Sequence, residues 1–214
     1  MALVKCFECE RVVSDKAEIC LGCGFPLQKY RRVNHDKKKI LKVIRAKNES
    51  NDFKIKRLRN LDEVYLDDKA FVFEVLNIKN NLLDFARTSE DIDDIVLGID
   101  NVSLNLFNDK DIVMLIFNIW KKAVSIDGLL ESSVDAMVNC VENISERLCN
   151  DKDVVMSLVS IDGTFIDIAS DDLKNDREVV IAAVKTDKEA IDCVNESFRN
   201  DIEIRLLLDN LDIV

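Results

Sequence analysis

Glycine and proline are scarce in this chain, with five Gly and a single Pro, Pro26, among 214 residues. So few turn formers disfavour a β sandwich and favour helices. Histidine is scarcer still. His35 stands alone, within Arg31-Arg-Val-Asn-His-Asp-Lys-Lys-Lys, a basic run with no positioned partner, which argues against histidine-based nucleophilic or acid–base chemistry. No Gly-rich phosphate loop is present. Long apolar runs are missing too: the longest, Ile112 to Trp120, has Asn118 inside it and falls short of the roughly 18 residues that a spanning helix takes. Residues 1–29 lack the layout of a signal peptide, because Cys6, Glu8, Cys9 and Glu10 stand where its apolar core belongs. These absences lead to the expectation of a cytoplasmic protein that is neither an enzyme nor attached to a membrane.

Charge and apolar residues are plentiful. Apolar side chains make up 48% of the chain, enough for one sizeable core, and the net charge is −11. The charge is unevenly placed. Residues 29–60 carry 13 Lys or Arg against Asp36, Glu49 and Asp52, an excess of +10, whereas residues 61–214 carry 14 basic against 34 acidic residues, an excess of −20. Such an asymmetry predicts halves that attract one another or meet partners of opposite kinds.

Cys6-Phe-Glu-Cys9 and Cys20-Leu-Gly-Cys23 form two C-x2-C knuckles ten residues apart. A two-residue gap lets both sulfurs of a knuckle face one tetrahedral ion, and Gly22 and Gly24 leave backbone amides free to approach the sulfurs. Four thiolates close the coordination sphere, so Cys6, Cys9, Cys20 and Cys23 are expected to hold one structural Zn2+. Disulfides or a redox-active pair are the competing readings; the unpaired Cys140, Cys149 and Cys193 and the lack of a surrounding βαβ pattern weigh against them. Those three cysteines sit on apolar helical faces as core residues. Residues 1–29 resemble the small zinc-ribbon found at the amino terminus of many bacterial proteins, with Val-Ser-Asp-Lys-Ala between the knuckles and Cys-Gly-Phe-Pro-Leu after the last ligand. Phe7 and Glu10 depart from the usual proline and glycine. The resemblance implies a zinc-folded cap and no particular activity.

Residues 29–62 read as a basic helical connector between that ribbon, residues 1–28, and the domain at 63–214. Ile40, Leu41, Val43 and Ile44 recur at helical spacing among Lys37, Lys38, Lys39, Lys42, Arg45 and Lys47, and Ile55, Leu58 and Leu61 suggest a second short helix. Three readings compete: a solvated face packed on the acidic repeats, a nucleic-acid patch through those six cations, or a membrane-surface helix. Only Tyr30 and Phe53 supply aromatic rings, which weakens single-strand stacking.

The carboxy-terminal part repeats a phrase. Asn150-Asp-Lys-Asp-Val-Val, Asn175-Asp-Arg-Glu-Val-Val and Asn200-Asp-Ile-Glu-Ile-Arg start 25 residues apart. A period of this size predicts stacked units, each too small to bury its apolar face alone. Asn150, Asn175 and Asn200 are natural N-caps, with Asp153, Glu178 and Glu203 placed to complete capping boxes. A polar turn, Asp162-Gly163 or Thr186-Asp187, separates each first helix from a shorter second one, a helical hairpin. Looser copies at Asp67-Asp-Lys-Ala-Phe-Val and Asn108-Asp-Lys-Asp-Ile-Val are followed by short units opening at Asp93 and Val134. The units resemble an uncharacterised family of bacterial repeats reading N-D-[KR]-[DE]-V-V, which implies a layered helical surface for binding macromolecules and no catalytic residues.

The expected molecule is therefore mostly α, a helical-hairpin repeat array with a small amino-terminal zinc-ribbon, and a non-enzymatic protein-binding protein. Asp171, Asp172, Asp176 and Glu196 are candidate contacts, with solvated caps as the competing reading, and Trp120 is core or an interface anchor. Two alternatives remain: a nucleic-acid-associated regulator using the connector, and a phage or mobile-element inhibitor that mimics nucleic acid with its acidic surface.

Overall fold

The computed structural model describes residues 3–6, 9, 11–14, 16–24, 26–59, 61, 65–127 and 130–211. The chain divides into two compact units, Met1–Ser50 and Asn51–Val214, and its regular structure is almost entirely helical.

The first unit opens with a hairpin of β1 (Leu3–Lys5) and β2 (Val12–Ser14), paired antiparallel with Val4 opposite Val13. Its apolar centre is small: Cys6, Cys20 and Leu27 are buried, with Val13 and Ala17 packed against them. Helix α1 (Leu27–Ile44) begins directly after Pro26 and buries Leu27, Ile40 and Ile44. Phe7 and Glu10 lie outside the described residues, as does the side chain of His35, whose backbone is in α1.

The second unit starts with α2 (Asn51–Arg59), which packs on α3 (Lys69–Leu82) and α4 (Ser89–Val96). The basic stretch thus spans both units. Helices α5 (Lys110–Asp127), α6 (Glu131–Glu142) and α7 (Glu146–Cys149) follow, then α8 (Lys152–Val159), α9 (Asp171–Lys174), α10 (Arg177–Thr186) and α11 (Ile202–Leu211). The first helices of successive units, α3, α5, α8, α10 and α11, stack in that order. Val154, Val155, Leu158 and Val159 of α8 and Val179, Val180, Ala183 and Val184 of α10 are all buried, and Ile204 joins the same core from α11. No unit buries these side chains alone, so the core is continuous between neighbours. Trp120 is fully buried in α5 and belongs to the core.

Three expectations need correction. The caps are the aspartates, one residue later than the asparagines: Asp151 accepts from the amides of Asp153 and Val154, and Asp176 from those of Glu178 and Val179. Asn150 and Asn175 instead close the preceding turns. Second, no short units open at Asp93 or Val134. Asp93 is inside α4, whose start is a capping box between Thr88 and Asp91, and Val134 is inside α6, so the segments beginning at Asp68 and Asp109 are single, longer units. Third, the second helices of the 25-residue units are mainly 3-10 turns, Gly163–Ile168 and Lys188–Cys193. Asp162 and Asp187 start them by accepting the amide two residues on, a local bond that competes with α-helix formation. Gly163 is required there: a Cβ would come within 2.2 Å of the Ala183 carbonyl oxygen in the next unit.

Candidate metal centre and array surface

The two knuckles bring four cysteines together. Cys6 follows β1, Cys9 lies in the hairpin turn, and Cys20 and Cys23 flank the turn before α1. Their sulfurs all lie within 4.8 Å of one another, with Cys6 to Cys23 at 3.7 Å and Cys9 to Cys20 at 3.6 Å, and none is in a disulfide. A tetrahedral ion with metal–sulfur bonds of about 2.3 Å needs sulfurs about 3.8 Å apart, so these thiols fit such an ion.

The backbone prepares the site for thiolates. The Gly22 amide donates to the Cys20 sulfur at 3.4 Å, and together with the Cys23 amide and the neighbouring sulfurs it lowers the Cys20 thiol to about 6 against the opposing effect of burial. Gly24 takes a positive φ, 78°, so that its amide can reach the Cys20 carbonyl at 2.8 Å and close the knuckle. Gly22 also leaves room for Arg11: a Cβ there would lie 2.7 Å from the guanidinium carbon, so the cation sits beside the second knuckle. The other cysteines are different in kind. Burial pushes Cys140 up to about 12, and raises Cys149 and Cys193, so all three stay thiols.

In the array, the repeated phrase builds an ion-pair ladder that the sequence reading missed. The basic residue after each cap reaches the following unit's cap and the acid two residues beyond it. Lys69 meets Asp109 and Asp111, Lys110 meets Asp151 and Asp153, Lys152 meets Asp176 and Glu178, and Arg177 meets Asp201 and Glu203, at 2.6–3.1 Å. These bonds raise the cations' pKa values, and the cations in turn hold Asp151, Asp176 and Asp201 below their usual value of 3.8. For Asp109 burial is the largest influence and pushes upward, but Lys69 and the amides of Asp111 and Ile112 outweigh it.

A second ladder is uncharged. The backbone amides of Ser103, Ser145 and Ser170 donate to the carbonyls of Leu66, Phe107 and Cys149 in the preceding unit. The hydroxyls of Ser145 and Ser170 donate to the side-chain oxygens of Asn108 and Asn150, at 2.9 and 2.7 Å. The Asn that opens each of these two phrases is therefore held by the serine that precedes the terminal turn, 37 and 20 residues later.

Among the candidate contact residues, Asp176 is engaged in the ladder, whereas Asp171, Asp172 and Glu196 are exposed. Glu146, Asp171 and Glu196 occupy the same place in the terminal turns of three successive units, and all are exposed. Lys38, Lys39, Lys42, Arg45 and Lys47 are exposed and Lys37 is half-buried.

A family described as "Domain of unknown function (DUF4116)" matches residues 117–174, 151–199 and 176–208. Two of these overlapping matches begin on the cap aspartates Asp151 and Asp176, in phase with the structural units. No curated protein and no solved structure matches the chain. No helix among the described residues is long and apolar enough to cross a membrane.

Proposed function

We propose that this is a non-enzymatic, cytoplasmic scaffold whose array binds a basic segment of another protein, capped by a zinc-folded ribbon. Zinc is favoured by four thiols at tetrahedral spacing, by the lowered Cys20 thiol, and by the resemblance of residues 1–29 to bacterial zinc-ribbons. With four sulfur ligands the ion has no open position, and its chemistry is structural: it supplies folding free energy to a unit with a very small apolar centre. Protein purified without chelator should carry one zinc per chain. Less than about half an equivalent contradicts this part of the reading.

The observation that carries the array's role is the division of its carboxylates. The ladder uses the caps to fix each unit on the next, while Glu146, Asp171 and Glu196 recur outside it on successive exposed turns. Stacked helices lie about 8–10 Å apart, so such a row presents negative charge at regular intervals suited to an extended Lys- or Arg-rich chain. Reversing the three charges together, Glu146→Lys, Asp171→Lys and Glu196→Lys, should abolish capture of partner protein from the native host while circular dichroism is unchanged. Undiminished capture by the folded variant would sink the proposal.

A further inference from the structure

The exposed side of α1 has a composition unlike the rest of the molecule. Lys38, Lys42 and Arg45 fall at i, i+4 and i+7, on one face of the helix. With Leu41 and Ala46 they line a hollow that is open to solvent and has no carboxylate in its lining. The buried side of the same helix is apolar, with Ile40 and Ile44, so the cations are held outward by the way the helix is seated. Within residues 27–50 the only acids are Asp36 and Glu49, and neither lines the hollow. Lys38 and Lys42 make no ion pair among the described residues, in contrast to Lys69, Lys110, Lys152 and Arg177, each of which is used twice within the array.

We infer that Lys38, Lys42 and Arg45 of α1 form a binding site for the phosphodiester backbone of a nucleic-acid duplex. The dimensions agree. Seven residues of helix rise about 10 Å, which is the axial length over which one strand of a duplex presents about three phosphates. The helix dipole explains basic residues at Lys42 and Arg45, near the end of α1, but not Lys38 a turn earlier, nor a hollow shared by all three. The hollow has no aromatic side chain in its lining, so recognition is of backbone charge and not of stacked bases, and it reads no sequence. This site goes beyond the array's protein partner and uses none of the array's residues.

The test uses the full-length, metal-loaded chain and fluorescence-labelled duplexes of about 20 base pairs, one of DNA and one of RNA, read by anisotropy across a salt series. Three phosphate contacts give a slope of log affinity against log salt of about −2.7, an approximately forty-fold loss between about 50 and 200 mM salt. Replacing all three cations by glutamine, Lys38→Gln, Lys42→Gln and Arg45→Gln, should remove that share of the slope and most of the affinity. Glutamine keeps helix propensity at these exposed sites, and unchanged circular dichroism and metal content confirm the fold. Binding by either duplex with these losses supports the site, and the tighter one names the preferred nucleic acid. Failure of both duplexes to bind at low salt overturns it. So does an unchanged slope in the triple variant, or equally tight binding of polyglutamate, which would assign the face to an acidic protein.

Discussion

The units at 175–199 and 200–211 begin with the same phrase, yet one has a neighbour on both sides and the other has none following it among the described residues. Their differences fall at two core positions and at one ladder position. Val180 and Val184 are fully buried between α10 and its neighbours, and their counterparts 25 residues later are Arg205 and Asp209, both exposed. Arg177, which reaches forward to Asp201 and Glu203, is replaced by Ile202, 78% exposed and unable to make a rung. Val179 keeps an apolar counterpart, Ile204, also fully buried. The buried Val180 and Val184 thus give way to exposed charged residues, while the buried apolar position of Val179 is kept.

The largest effect expected from this comparison is at position 180. Val180→Arg buries an unpaired charge in the shared core and should cost more than about 3 kcal/mol, whereas the mirror change Arg205→Val should stay within about 0.5 kcal/mol. Chemical denaturation measures both, and equal effects would break the comparison. Next comes Gly163→Ala, whose Cβ meets backbone atoms at Ala183 and Asp187 and should cost about 1–3 kcal/mol. Asp176→Ala removes a cap and should cost about 1 kcal/mol, against a smaller loss for Asn175→Ala, because the aspartate holds the helix amides.

The smallest effect belongs to the ladder, whose members are partly solvated and screened by salt. Its carboxylates are held below their usual 3.8, so their contribution is complete above that value and is lost as pH falls toward the lowered native value. The cations are raised, so their share persists through neutral pH and would be lost only above the ordinary lysine range. The melting temperature should therefore be flat near neutrality and drop below about pH 4, with a smaller drop in Arg177→Gln. An unchanged acid limb in that variant would show that the rung contributes nothing.

Much of this was legible in the residues. The 25-residue period and the two knuckles stand out because each depends on spacing alone, and the four cysteines indeed converge. The cap register was not, because Asn and Asp are equally good caps and only Ser170, reaching back 20 residues to Asn150, distinguishes them. Asp93 and Val134 misled because an aspartate before apolar residues occurs by chance inside a helix, whereas Thr88 with Asp91 is the stronger start signal. The ladder's members are visible in every copy of the phrase, but each pair joins residues 24 to 43 positions apart, beyond the reach of local pattern.

Interchangeable stacking is tested most directly by a chain carrying a second copy of residues 150–174 in tandem after Lys174. The added unit would offer Lys152 to the next cap, bury both of its apolar faces and keep the glycine at the close approach. Stacking predicts a single cooperative unfolding transition, with more helical signal and a melting temperature no lower than that of the parent chain. A broad or non-cooperative melt at lower temperature would contradict it.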